Sequence, residues 1–115
     1  MLAPGAAQKV IVHLNEDTSS RQDFLHAEIL AFLYEKGIAG ATVFRPSAGF
    51  GSGHRIHTAG AGSVEGEHLP VRIEFLESPD VVNRVLPELC ELVTDGLVET
   101  HPTTIVKSVR QLERP

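Results

Sequence analysis

Seven residues near the middle of this 115-residue chain are of types that bind anions: Arg45, Gly49, Phe50, Gly51, Arg55, His57 and Thr58. Glycines at 49 and 51 leave backbone N–H groups free to close around a negative group, and Phe50 between them offers a ring on which a planar base can stack. Arg45 and Arg55 flank that turn, each with the forked guanidinium that matches a phosphate or carboxylate. Arg45 is the stronger candidate, because it leaves a strand whereas Arg55 lies within a loop. His57 and Thr58 can hydrogen-bond a ligand or a neighbouring subunit. The competing structural reading is a glycine turn, a core phenylalanine and two solvated arginines. Charge distribution favours the anion. No acid lies between Glu35 and Glu65, so residues 36–64 carry +3 while the rest of the chain carries −8.

Other chemistries fare worse. His54, His57 and His68 with Glu65 and Glu67 are metal-ligand types, but their spacing matches no zinc pattern, so no metal site is assigned. No Ser-His-acid set and no pair of carboxylates stands out, so no catalytic residue is assigned and the chain is read as no enzyme. Cys90 sits beside Leu86, Leu89 and Val93 in a helical pattern and reads as a packed thiol. The net charge of −5 argues against nucleic acid as a partner. No apolar stretch approaches the roughly 20 residues of a membrane span, and Met1 to Gln8 lacks the apolar segment of a signal peptide, which makes the cytoplasm the default location. With 42% hydrophobic and 22% charged residues, the length supports one modest globular core.

The elements that must position these residues follow from periodicity. Val10, Val12 and Leu14 alternate with Lys9, Ile11 and His13 as a first strand, after a disordered extension over residues 1–8. Ser20 and Asp23 form a weak capping box for a helix running to about Lys36, with Leu25, Ile29, Phe32 and Leu33 as its apolar stripe and Gly37 as a left-handed cap. Ala41 to Phe44 reads as a second strand. A glycine-rich loop then spans about 49–66, with six of the chain's ten glycines, and Leu69 to Leu76 restores alternation as a third strand. Ser78-Pro79-Asp80 opens a second helix bearing Val82, Val85, Leu86, Leu89, Leu92 and Val93, which Pro87 should kink or split. Leu97 to Val109 holds a last strand, broken around Pro102 or placed at an edge, and 110–115 form a tail.

This order is an α+β, ferredoxin-like βαββαβ sandwich: an antiparallel sheet with two helices on one face, over residues 9–109. The other face would carry Ile11 and Phe44 beside His13, Arg72 and Glu74, too mixed to be left to water, which implies self-association.

The string Gly40-Ala41-Thr42-Val43-Phe44-Arg45, then Gly49-Phe50-Gly51, Arg55-Ile56-His57-Thr58, Leu69-Pro70-Val71, Leu86-Pro87-Glu88-Leu89 and Gly96-Leu97-Val98 resembles the PII-like family called domain of unknown function 190. The resemblance runs over about residues 9–107. It implies a PII-like homotrimer that binds small effectors, an adenine nucleotide among them, in clefts between subunits. It also implies signalling through the flexible loop to a partner such as a membrane ion transporter, since relatives are often encoded beside ion transporters such as fluoride exporters. Better-known PII proteins hold ATP or ADP with a glycine-rich turn before the last strand; here that turn is Thr94-Asp95-Gly96, without a lysine. Their modifiable loop tyrosine has no equivalent, because Tyr34 falls on the first helix. The rival from another class is an acylphosphatase-like hydrolase on the same plan. Its phosphate loop would fall at Asn15-Glu16-Asp17, which is acidic and has no glycine.

Overall fold

The computed structural model describes residues 2–15, 25–50, 57–58 and 70–110. The alternating first segment forms strand β1 (Gly5–Leu14), followed by helix α1 (Leu25–Glu35) and strand β2 (Ala41–Phe44). A short β3 (Ala48–Gly49) pairs with β4 (His57–Thr58). Strand β5 (Val71–Glu77), helix α2 (Pro79–Leu92) and strand β6 (Gly96–Ile105) complete the chain. The four long strands make one antiparallel sheet in the order β2-β5-β1-β6. This is the ferredoxin-like arrangement expected from the order of elements.

Period-two alternation decides which side of the sheet the helices cover. Val10, Val12 and Leu14 of β1 and Ile73 and Phe75 of β5 are buried with Leu25, Ile29 and Leu33 of α1 and Val82, Val85 and Leu89 of α2, in one cluster. Both helices therefore lie on that face. Burying an aliphatic side chain of this size contributes about 1.5–3 kcal/mol, so these residues carry most of the fold's apolar stabilisation.

Helix ends follow their local chemistry. Gly37 takes φ +77°, Gly37 N–H donates to the Tyr34 carbonyl at 3.1 Å, and Ile38 N–H donates to the Leu33 carbonyl at 3.1 Å. That is a Schellman cap, which needs the left-handed glycine. Ser78 Oγ accepts from Val81 N–H at 3.4 Å to open α2, with Pro79 at its first position. The buried Glu77 carboxylate accepts from Ala39 N–H at 2.9 Å and Ser78 N–H at 3.1 Å, tying the turn after α1 to the start of α2. The capping box at Ser20 and Asp23 lies outside the described residues.

Three expectations need correction and one is met. Strand β1 begins at Gly5 and not after Gln8, because Gly5, Ala6 and Ala7 pair with Ile105, Thr104 and Thr103. Strand β6 meets the second of its two expected alternatives: it lies at the sheet edge and runs unbroken through Pro102, with a neighbour on one side only, so a missing donor can face outward. Helix α2 is not split at Pro87, which lies on the exposed side with Asn83, whose carbonyl would have received the absent N–H bond. Cys90 is exposed: it stands next to the buried stripe of Val82, Val85 and Leu89 but not on it.

Candidate functional site

At one end of the sheet the last residues of β1 and β2 meet the first residues of β5 around a groove of about 450 Å³, within the usual range for small-ligand sites. Leu14, Pro46, Pro70 and Val71 give it an apolar lining, and His13, Phe44, Arg45 and Arg72 supply ring and charge.

Strand register assembles that set. Arg72 stands directly opposite His13 across the β1–β5 ladder and directly opposite Phe44 across the β2–β5 ladder. All three side chains therefore project from the face that the helices leave open. The Arg72 guanidinium carbon lies 4.6 Å from the Phe44 ring centroid, a cation–π contact, and its Nε is 3.4 Å from Glu74 Oε1. Arg45, the first residue beyond β2, donates through Nη2 to His26 Nε2 at 3.0 Å. An arginine has no lone pair to offer, so His26 accepts there.

His13 is held from the other side. Its Nε2 lies 2.8 Å from Glu99 Oε2 on β6, and the second oxygen of Glu99 bonds His101 Nε2. The bond from His101 first, then that from His13, holds the Glu99 carboxyl below the usual carboxylate range, against a smaller upward push from desolvation. One glycine fixes the local backbone: a Cβ on Gly96 would stand 2.0 Å from the His13 carbonyl oxygen, so no other residue fits without moving β1. Asn15 N–H donates to the Asp95 carbonyl at 3.1 Å and closes the same corner.

The candidate residues read from sequence are brought together only in part. Arg45 lines the groove. Gly49 packs near it, since a Cβ there would lie 3.8 Å from the Pro70 ring. Phe50 is 56% exposed, which removes the core-aromatic reading. His57 and Thr58 pair through their backbones with Gly49 and Ala48. Gly51, Arg55, most of the 49–66 loop and the Glu16-Asp17 part of the rival phosphate loop lie outside the described residues.

The +3 window also divides. Lys36 belongs to the helical layer, where its Nζ pairs with Glu88 Oε1 at 3.2 Å and lies 5.6 Å from the Phe32 centroid. Arg72, outside that window, joins Arg45 instead. Sequence reasoning placed Phe44, His13 and Arg72 on the open face by parity, but it did not join them to Arg45. The signal was the strand register, which requires the pairing partners to be known.

Among the described residues no group of three or more His, Cys, Asp or Glu could hold a metal ion, and no helix is long and apolar enough to cross a membrane. The chain is 29% identical over 92 residues to the UPF0166 protein MJ1524 of Methanocaldococcus jannaschii, a stretch that covers 76% of this chain and 80% of that protein. Among solved structures it is similar to TTHA0516 of Thermus thermophilus, described as a PII-like signalling protein. The TM-score is 0.64 at 19% identity, covering 91% of this chain and 94% of the other. It is also similar to CPII of Thiomonas intermedia K12, solved bound to ADP and bicarbonate, with a TM-score of 0.59 at 16% identity, covering 93% and 95%. The fold is thus that of the PII-like proteins. The DUF190 family, described as Uncharacterized ACR, COG1993, matches residues 7–105, and with nearly the whole described sheet inside that match the chain belongs to DUF190.

Proposed function

We propose that this chain is a trimeric PII-like regulatory protein of the cytoplasm that binds a small anionic effector, an adenine nucleotide first among the candidates, in the groove beside Arg45. One observation carries the reading: Arg45, Arg72 and His13 converge with the Phe44 ring on a single groove whose remaining walls are apolar. Cations answer the phosphates, and Pro46, Pro70 and Val71 offer flat apolar surface to a base. That CPII is bound to ADP and bicarbonate supports the choice of ligand class.

The groove is open on the uncovered side of the sheet, where Phe44 and Leu97 remain 39% and 54% exposed. A second copy of the chain covering that face would close the groove and bury these residues. Gly49, Phe50 and Gly51, with Arg55, His57 and Thr58 further along the loop, would complete the ligand's surroundings and present its state to a partner such as a membrane ion transporter. Signalling then needs no turnover: effector binding shifts the loop between states that the partner distinguishes.

The test is titration of the full-length protein with ADP by calorimetry, alongside light scattering to weigh the particle. Saturable binding that Arg45→Ala weakens tenfold or more, about 1.4 kcal/mol, by a particle of about three chains is the expected result. Unchanged affinity in Arg45→Ala, or a monomer that binds as well, would overturn it.

A further inference from the structure

We infer that His13 is the proton-linked cation of this groove: when an anion binds, the His13 imidazole takes up a proton from solvent at Nδ1, while Glu99 acts as a positioning residue that holds the ring through Nε2. The inference rests on the anion reading of the groove.

The geometry leads there in three steps. His13 lines the groove and is also bonded from behind, with its Nε2 2.8 Å from Glu99 Oε2. A carboxylate accepts and does not donate, so the Nε2 side of the ring carries the hydrogen. In the neutral ring Nδ1 is then the bare nitrogen. It is the atom at which a proton adds, and among the described residues no hydrogen bond occupies it. Second, Glu99 is itself pinned by His101, so it cannot swing away without breaking a second bond. Third, the ring stands among charges of both signs. Arg72 faces it directly from β5, Arg45 lines the same groove, Glu99 bonds it from β6, and Glu74, His101 and, further along β1, Lys9 share its side of the sheet.

An anion placed in this groove acts on that balance in one direction only. It offsets Arg45 and Arg72 and favours the imidazolium form of His13, whose new Nδ1–H can donate to it. Linkage makes the effect mutual: a ligand that favours the proton is favoured by the proton. Arginine cannot supply this behaviour, because it stays charged throughout the accessible range, whereas histidine changes charge near neutrality. Arg45 and Arg72 thus give affinity, and His13 gives that affinity a dependence on pH. A regulator so built reads effector concentration and proton concentration together.

The experiment measures ADP affinity at about pH 6 and about pH 8, values that bracket the ordinary histidine range, for the unaltered protein, His13→Asn, His13→Gln and Glu99→Gln. The nucleotide's own phosphate titration is common to all four and cancels on comparison. The unaltered protein should lose at least about fivefold more affinity between the two values than either His13 variant. Glu99→Gln should keep a histidine-dependent profile but move it to lower pH, since the imidazolium loses its carboxylate. Imidazole nitrogen shifts of the free protein at the higher pH should report the Nε2–H tautomer of His13, and an Nδ1–H tautomer would overturn the assignment whatever the ligand data say. If ADP binds and Arg45→Ala weakens it, but His13→Asn and His13→Gln leave the pH profile unchanged, this inference falls and the anion groove stands. Absence of ADP binding at both pH values overturns both.

Discussion

The two faces of one sheet are built from alternate residues of the same strands and behave as different materials. On the covered face, Val10, Val12, Ile73 and Phe75 are packed under α1 and α2 with almost no contact with water. On the open face, their immediate neighbours Lys9, Ile11, His13, Arg72 and Glu74 carry charge, rings and partial exposure. The covered face therefore answers chiefly to volume, with the hydrogen-bonded Glu77 as its buried charge, while the open face answers to charge and whatever covers it. A side-chain alternation of two thereby separates the packed core from the proposed ligand surface.

The contrast is tested most severely by making a hole on the covered side. Ile29→Ala removes most of a branched side chain from a fully buried position on α1 and should cost about 2–5 kcal/mol in denaturant unfolding. The counterpart Leu97→Ala, on the open face, should act on association between copies, and its cost should fall below about 0.5 kcal/mol at concentrations dilute enough for the particle to be a monomer. A loss for Leu97 as large as that for Ile29 at those dilute concentrations would mean that Leu97 belongs to the chain's own core.

A middle-sized effect is expected at the corner where the two faces meet. Gly96→Ala would place a methyl group on the His13 carbonyl, and the backbone of β1 or β6 must shift to admit it. A loss of about 1–3 kcal/mol is expected, together with weaker ADP binding because His13 moves with its backbone. Full stability in Gly96→Ala would show that this corner is not close-packed.

The mildest effect should come from acid. Hydrogen bonds from His101 and His13 keep Glu99 ionised in the folded chain at pH values where the unfolded chain has begun to protonate it. Its contribution is therefore complete above the ordinary glutamate range and is lost as pH falls through the lowered folded value. Acid unfolding of Glu99→Gln should begin slightly earlier than that of the unaltered protein, with the two curves meeting at the lowest pH. Superimposable curves at every pH would remove Glu99 from the balance of the open face.

How much of this was legible in the residues depends on the range of the interaction behind each feature. The strand at Val10-Val12-Leu14, the cap at Gly37, the start of α2 at Ser78-Pro79 and the βαββαβ order are set by neighbours within a few positions, and all of them could be read from the residues alone. So could the sharing of a face, because parity along a strand needs no partner. Arg45 was readable as a cation at a strand end. The meeting of Arg45 with His13, Phe44 and Arg72 was not, because it depends on β5 lying between β1 and β2 with one particular register. The same holds for Glu99, which reaches His13 across 86 positions of chain, and for Gly96, whose need to be glycine comes from a carbonyl on another strand. Lys36 was misplaced for the converse reason: linear charge counting grouped it with Arg45, whereas helix packing gave it to Glu88. Local chemistry wrote the elements into the sequence; the groove exists only where strands distant in sequence are paired, and that pairing became visible only in three dimensions.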